Sequence, residues 1–467
     1  MGAPMRRPHA AALLVLLTAT CVPATRPAVA MREFLDAYNS GDFSRVAAFF
    51  EAHDTSADAS KRRERGMDRA TWVMGYLHPG IRRFVPARTT ASTADAITIL
   101  GRSASTDAWY RFTMEVDAAP PHAIAFGFEE AEPPSGWRER TMPTAEEYMR
   151  RVADAGVFSG AVMIADAGRT IYSGAFGFAD AEARRANTID TPINLGSMNK
   201  MFTAIAILQL VERGRIALDD RVGKHLPLLP NRDVAENVTV HHLLTHTSGV
   251  GDYFNDAYMA RKKELRTVPD LLSLFQTEPL AFRPGEKWQY SNGGYVLLGA
   301  IIEAVAGMSY EEYVQQHVYR VAGMAGTRGD CDSCAIGYTF ARRGGAIALT
   351  RERNDFALPG AGSPAGGGYS TVRDLIAFVR ALRAGKLVSP DSLRKMLTPH
   401  ITNDRGAYGY GFELVQRNGR TIAGHNGHHL GISAQLDFDV DSGVAVAVLS
   451  NYDPPAAPVV ARRLGEL

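Results

Sequence analysis

Ser197 and Lys200 stand three residues apart at the head of a strongly apolar segment, and two further short motifs follow in order: Tyr290-Ser291-Asn292 and His425-Asn426-Gly427. A serine hydroxyl is too weakly acidic to attack a carbonyl unaided and needs a base within hydrogen-bond reach. Residues three apart on a helix share a face, which sets the Lys200 amine beside the Ser197 oxygen. The spacing alone is common, since about one or two such pairs arise by chance in a chain this long. Its setting is not common. Residues 198–211 (MNKMFTAIAILQLV) read as a buried helix, introduced by Gly196 and stopped by Gly214. A lysine in the first turn of such a helix needs polar company, because burying an unpaired ammonium is costly.

Tyr290 and Asn292 supply that company. A phenol near an ammonium can shuttle a proton, and the spacing leaves base duty undivided between Lys200 and Tyr290, which would titrate as a coupled pair. Asn292 can orient Lys200 and donate to a substrate carbonyl. Ser291-Asn292-Gly293-Gly294 reads as a turn with exposed backbone. A tetrahedral oxyanion wants two backbone N–H donors, and Ser197 at a helix N-terminus offers one.

The elements that must hold these groups follow from periodicity. Strands are expected at residues 161–165, 170–178, 410–416, 422–425, 432–438 and 444–449, and a closing helix at 456–464. Residues 215–386 read as mainly helical, with Gly366-Gly367-Gly368 as a tight turn before a helix at 371–382. The order implies an α+β fold: one antiparallel sheet built from both ends of the domain, flanked by helices, with a helical subdomain between. Ahead of it, residues 31–130 read as a small α+β domain whose alternating strand at 109–116 is half-buried. That pattern resembles an NTF2-like or cystatin-like accessory domain. Residues 131–143, with three prolines, read as a linker, and Thr144 to Glu147 as a capping box.

The N-terminus carries an address. Arg6 and Arg7 precede an apolar run at 10–22, and Ala28-Val29-Ala30 offers a cleavage site. Residues 1–30 therefore read as a signal peptide, with a periplasmic or extracellular destination and no stable membrane anchor. Removing them leaves 48 basic against 50 acidic side chains, a balance that suggests no nucleic-acid partner. Cys331 and Cys334 then remain, and in an oxidising compartment they read as a local disulfide. His242 with His246, and His428 with His429, lack acidic or cysteine partners at ligand spacing; they read as packing and loop hydrogen bonds, and no metal or cofactor is called for. The Gly-x-Ser-x-Gly elbow of α/β-hydrolases is absent.

Together, Ser197-x-x-Lys200, Tyr290-x-Asn292 and His425-x-Gly427, with Leu243 to Gly249 (LLTHTSG) and Phe282-Arg283-Pro284-Gly285, make residues 144–467 resemble the serine β-lactamase-like superfamily, in its class C β-lactamase, DD-peptidase and family VIII esterase branch. The resemblance implies an acyl-enzyme on Ser197, with Lys200 and Tyr290 catalytic and Asn292, His425, Gly427 and His428 binding substrate. His428, on an edge strand, would be the second oxyanion donor. His425 stands where many β-lactamases have lysine; it would bind a substrate carboxylate when protonated or donate a hydrogen bond when neutral. Asn426, where threonine is common, points away from efficient β-lactam hydrolysis. The expected substrates are small esters, amides or D-amino-acid peptides, cell-wall peptides among them. The alternative is a non-catalytic penicillin-recognising or peptidoglycan-binding protein with a vestigial site.

Overall fold

The computed structural model describes residues 25–118, 123–134, 144–331, 333–343, 346–403 and 406–466. The N-terminal part is a small α+β region. Helices Arg26–Asn39, Phe43–Ala52 and Ala59–Trp72 precede four strands, Phe84–Ser92, Ala96–Ser103, Trp109–Val116 and Ile124–Ala131, paired in sequence order as an antiparallel meander. Strand Trp109–Val116 turns Tyr110, Phe112, Met114 and Val116 onto the helices, and Phe34, Tyr38, Phe49 and Phe84 complete an aromatic core. The first helix runs through residues 28–30 and buries Ala28 and Ala30, so the expected cleavage point falls inside it. Of the expected linker, 131–134 are described and 135–143 lie outside the described residues.

The larger part is organised on one eight-stranded antiparallel sheet. Its order is Ile401–Asn403, Gly406–Tyr408, Glu413–Arg417, Arg420–His429, Ile432–Asp439, Ala445–Ser450, Gly160–Asp166, Arg169–Phe176. Both ends of the domain thus meet at the pairing of Ser450 with Gly160. Strand Ala445–Ser450 is buried throughout because both its faces are covered. Val446 and Val448 point to helices Ala145–Asp154 and Ala456–Leu464, while Ala447 and Leu449 join the core of helices Asn199–Glu212 and Val372–Arg383. Thr144 and Glu147 form the expected capping box. Cys331 and Cys334 are disulfide-bonded.

Three local expectations are qualified or corrected. Residues 215–386, read as mainly helical, also hold an antiparallel hairpin, Tyr338–Arg343 with Ala346–Arg353. Residues 291–294 are not an exposed turn; Ser291 caps helix Asn292–Ala306 by accepting from the Gly294 N–H, and Gly293 and Gly294 are buried in its first turn. The strand carrying His428 is not an edge strand along its length. Its partner Glu413–Arg417 covers it only as far as Gly424, and beyond that the turn holding Ser197 lies alongside.

Candidate active site

Ser197 sits in a 3-10 turn, Gly196–Met198, that leads into helix Asn199–Glu212. Gly196 adopts φ +53°, and a Cβ there would stand 2.9 Å from the His428 nitrogen. Gly427 plays the same part opposite, since a Cβ on it would stand 1.9 Å from the Leu195 carbonyl oxygen. The two glycines let the strand and the serine turn touch backbone to backbone, which sets the Ser197 and His428 main chains side by side.

Lys200 is wholly buried (0% exposed), one turn below. Its Nζ donates to Asn292 Oδ1 at 2.7 Å and to the Ala365 carbonyl at 2.5 Å, and lies 4.6 Å from the Tyr290 ring centroid. Burial lowers its pKa to about 7 against an upward pull from Asp252 and Glu413. A neutral amine gives its two hydrogens to those two acceptors and keeps a lone pair. Burial holds the Tyr290 phenol well above the usual tyrosine pKa, against a smaller downward pull from Ser197. Ser197 and Tyr290 line one cleft, and the Lys200 amine lies against the phenol ring.

His425 and Gly427 do not line the cleft. The His425 ring is wholly buried (0% exposed) and lies outside the cleft lining. Its Nδ1 donates to the Asn426 carbonyl at 2.6 Å, which leaves Nε2 to accept from the Tyr408 hydroxyl at 3.1 Å. Burial, with Lys200 nearby, lowers its pKa to about 3. The expected contact with a substrate carboxylate is thus corrected: His425 is a neutral support behind Tyr290, with ring centroids 6.5 Å apart. Gly427 acts sterically. Asn292 and His428 do line the cleft, a cavity of about 600 Å³ over Ser197.

The profile of the beta-lactamase family matches residues 145–466. The chain belongs to that family. It is similar to the penicillin-binding protein of Bacillus halodurans, 31% identical with a TM-score of 0.62 over 70% of this chain and all of that one. A D-stereospecific amidohydrolase from Streptomyces is 26% identical, with a TM-score of 0.56 over 69% of this chain and 98% of that one. Esterase EstB of Burkholderia gladioli is 37% identical over 35% of this chain and 44% of its own length. The family's fold and relatives make this β-lactamase-family chain a serine hydrolase.

Three residues of this β-lactamase-family site escaped the sequence reading. Asp252 Oδ2 accepts from Asn292 Nδ2 at 2.6 Å and so fixes which end of that amide faces Lys200. Glu413 lines the cleft and accepts from Asn426 Nδ2 at 2.9 Å and 3.0 Å. Single carboxylates in loops and strand ends carry no local pattern that could have revealed them. His246, read only as a loop residue, lies under Tyr290 with ring centroids 4.3 Å apart, and its Nδ1 accepts from the Ser291 N–H at 3.1 Å. Its φ of +59° in a buried position is visible only in the structure, and histidine is among the residues that tolerate that region at functional sites.

Proposed function

We propose that this chain is a secreted hydrolase that forms an acyl-enzyme on Ser197 and hydrolyses small esters, amides or D-amino-acid peptides. The observation that carries this reading is the wholly buried Lys200 amine, lowered by burial to a pKa of about 7, against the ring of Tyr290, which lines one cleft with Ser197. Tyr290 is held protonated, so Lys200 is the resting base and Tyr290 the conduit. Ser197 Oγ attacks the acyl carbonyl while its proton passes through the phenol to Lys200 Nζ. The oxyanion is held by the Ser197 and His428 N–H groups. The proton then returns through Tyr290 to the leaving oxygen or nitrogen, and water repeats the sequence on the ester to free the acid. Asn292, clamped by Asp252, presents its amide to the substrate and to Lys200 at once. Secretion rests on the layout of residues 1–30, and the intact mass of the exported protein tests it.

A fluorophosphonate should label the wild type at Ser197, and Ser197→Ala should not label. Labelling that persists in Ser197→Ala removes Ser197 as nucleophile. A wild type that neither labels nor turns over p-nitrophenyl esters or D-alanyl peptides supports the binding-protein reading instead.

A further inference from the structure

Asp453, 6% exposed, joins three segments that are distant in sequence. Its Oδ2 accepts from the Phe340 N–H and from Arg351 Nη1, both at 3.1 Å, and its Oδ1 accepts from the Gly431 N–H at 2.8 Å. Gly431 belongs to the tight turn between the strand bearing His428 and the next, Ile432–Asp439. That turn has no slack. Gly431 adopts φ +65°, a Cβ on it would stand 2.7 Å from the Tyr338 nitrogen, and Asn354 Nδ2 donates to the Leu430 carbonyl at 2.7 Å. His429 bonds the Ala357 carbonyl at 3.2 Å. The far end of the oxyanion strand is therefore set by the hairpin 338–353 and the residues just after it.

The hairpin is in turn gripped by the N-terminal region. Phe340 is counted in that region's aromatic core, not in the core of the larger domain. The Arg351 guanidinium lies 4.2 Å from the Phe340 ring centroid and 3.8 Å from that of Tyr452, and Arg82 of the N-terminal region approaches the same Phe340 ring at 5.6 Å. Arg82 and Arg351 both donate to the Gly156 carbonyl, at 2.9 Å and 3.3 Å. A largely buried guanidinium stacked between two rings and paired with one carboxylate has a single geometry.

We propose that Arg351 is a positioning residue for the backbone N–H of His428, and that the N-terminal region, by holding Phe340, is a working part of the active site. The inference rests on the acyl-enzyme reading above. An oxyanion donor must lie within about 2.7–3.1 Å of the developing charge, and a shift on the order of 1 Å costs about a hundredfold in rate. Loosening the Gly431 turn three residues away moves that donor without touching the substrate.

The test uses the full chain and a p-nitrophenyl ester. Arg351→Met should lower kcat and the fluorophosphonate labelling rate by about 10- to 100-fold with KM within about twofold. Arg351→Lys, which restores a charge to Asp453, should recover part of the loss. Arg151→Met and Arg462→Met are the controls: they break the pairs to Asp107 and to Glu130 and Glu132, which also bridge the two regions but lie away from Gly431. They should lower Tm with kcat unchanged. Phe340→Leu, which leaves the Asp453 bonds in place, serves if Arg351→Met does not fold, and should lower kcat in the same manner. A folded Arg351→Met or Phe340→Leu with wild-type kcat overturns the proposal, as does a kcat loss in the controls that tracks Tm. A wild type that fails to label would instead overturn the acyl-enzyme reading, and this inference with it.

Discussion

Lys200 is held by Asn292 at 2.7 Å, and Asn292 is held in turn by Asp252 at 2.6 Å. The Asn292 amide is thereby polarised, its oxygen towards the amine and its nitrogen towards a carboxylate. Asn292 thus sets the position of the amine, and Asp252 pulls its pKa upward.

Activity should follow the charge on Lys200. The amine is competent only when neutral, so kcat/KM for a neutral ester should rise with pH through about 7 and level off above it. Asp252→Asn removes a charge that raises the Lys200 pKa, so the rising limb should move to lower pH. A limb that stays in place, or moves to higher pH, contradicts the assignment of Lys200 as the titrating base.

Stability should carry the same signature with a defined sign. Burial lowers the Lys200 pKa from 10.5 unfolded to about 7 folded. Below about pH 7 the fold bears the full cost of a buried ammonium; between there and 10.5 the unfolded chain binds the extra proton, so stability from this group rises with pH. Lys200→Met removes the effect. Its Tm relative to wild type should be more favourable near pH 6 than near pH 9.5, and a pH-independent difference would contradict the burial argument.

Tyr290→Phe should keep the packing against His246 and lose the proton path. A fall in kcat of about 10²-fold or more at near-wild-type Tm is expected, read by ester turnover and thermal unfolding. Retained kcat would mean that Lys200 reaches the Ser197 proton without the phenol.

His246→Asn tests the support beneath the phenol. Asparagine tolerates the φ of +59° and can still accept from the Ser291 N–H, but it removes the ring under Tyr290. About a tenfold loss in kcat with the pH limb unmoved is expected. A limb displaced towards another pKa would mark His246 as a titrating participant.

Gly427→Ala should damage both fold and turnover, because the new methyl would stand 1.9 Å from the Leu195 oxygen and push His428 away from Ser197. The same substitution at Gly419, where nothing lies within 4 Å, keeps only the cost of its φ of +74° and should spare kcat.

Much of this was legible from local pattern. The serine helix is apolar all round, the strand at 109–116 alternates, and the sheet strands fall close to their expected places, because each rests on a periodicity contained within a few residues. The hairpin 338–353 escapes a mainly helical reading of residues 215–386, although Tyr338-Thr339-Phe340 is a short run of β-prone residues. Ser291 looked like a turn because a capping serine before two glycines has the composition of one.

By itself, the order of residues picked out the candidates: one serine, one amine and one phenol, through motifs whose members sit one helical turn or two residues apart. Only the tertiary structure decided what surrounds them. Whether His425 faces ligand or core depends on Tyr408 and on strand Arg420–His429 losing its partner after Gly424. The roles of Asp252, Glu413 and Asp453 depend on partners brought from 13 to 113 positions away. Burial and electric field are sums over neighbours that folding assembles, and no short stretch of chain contains them.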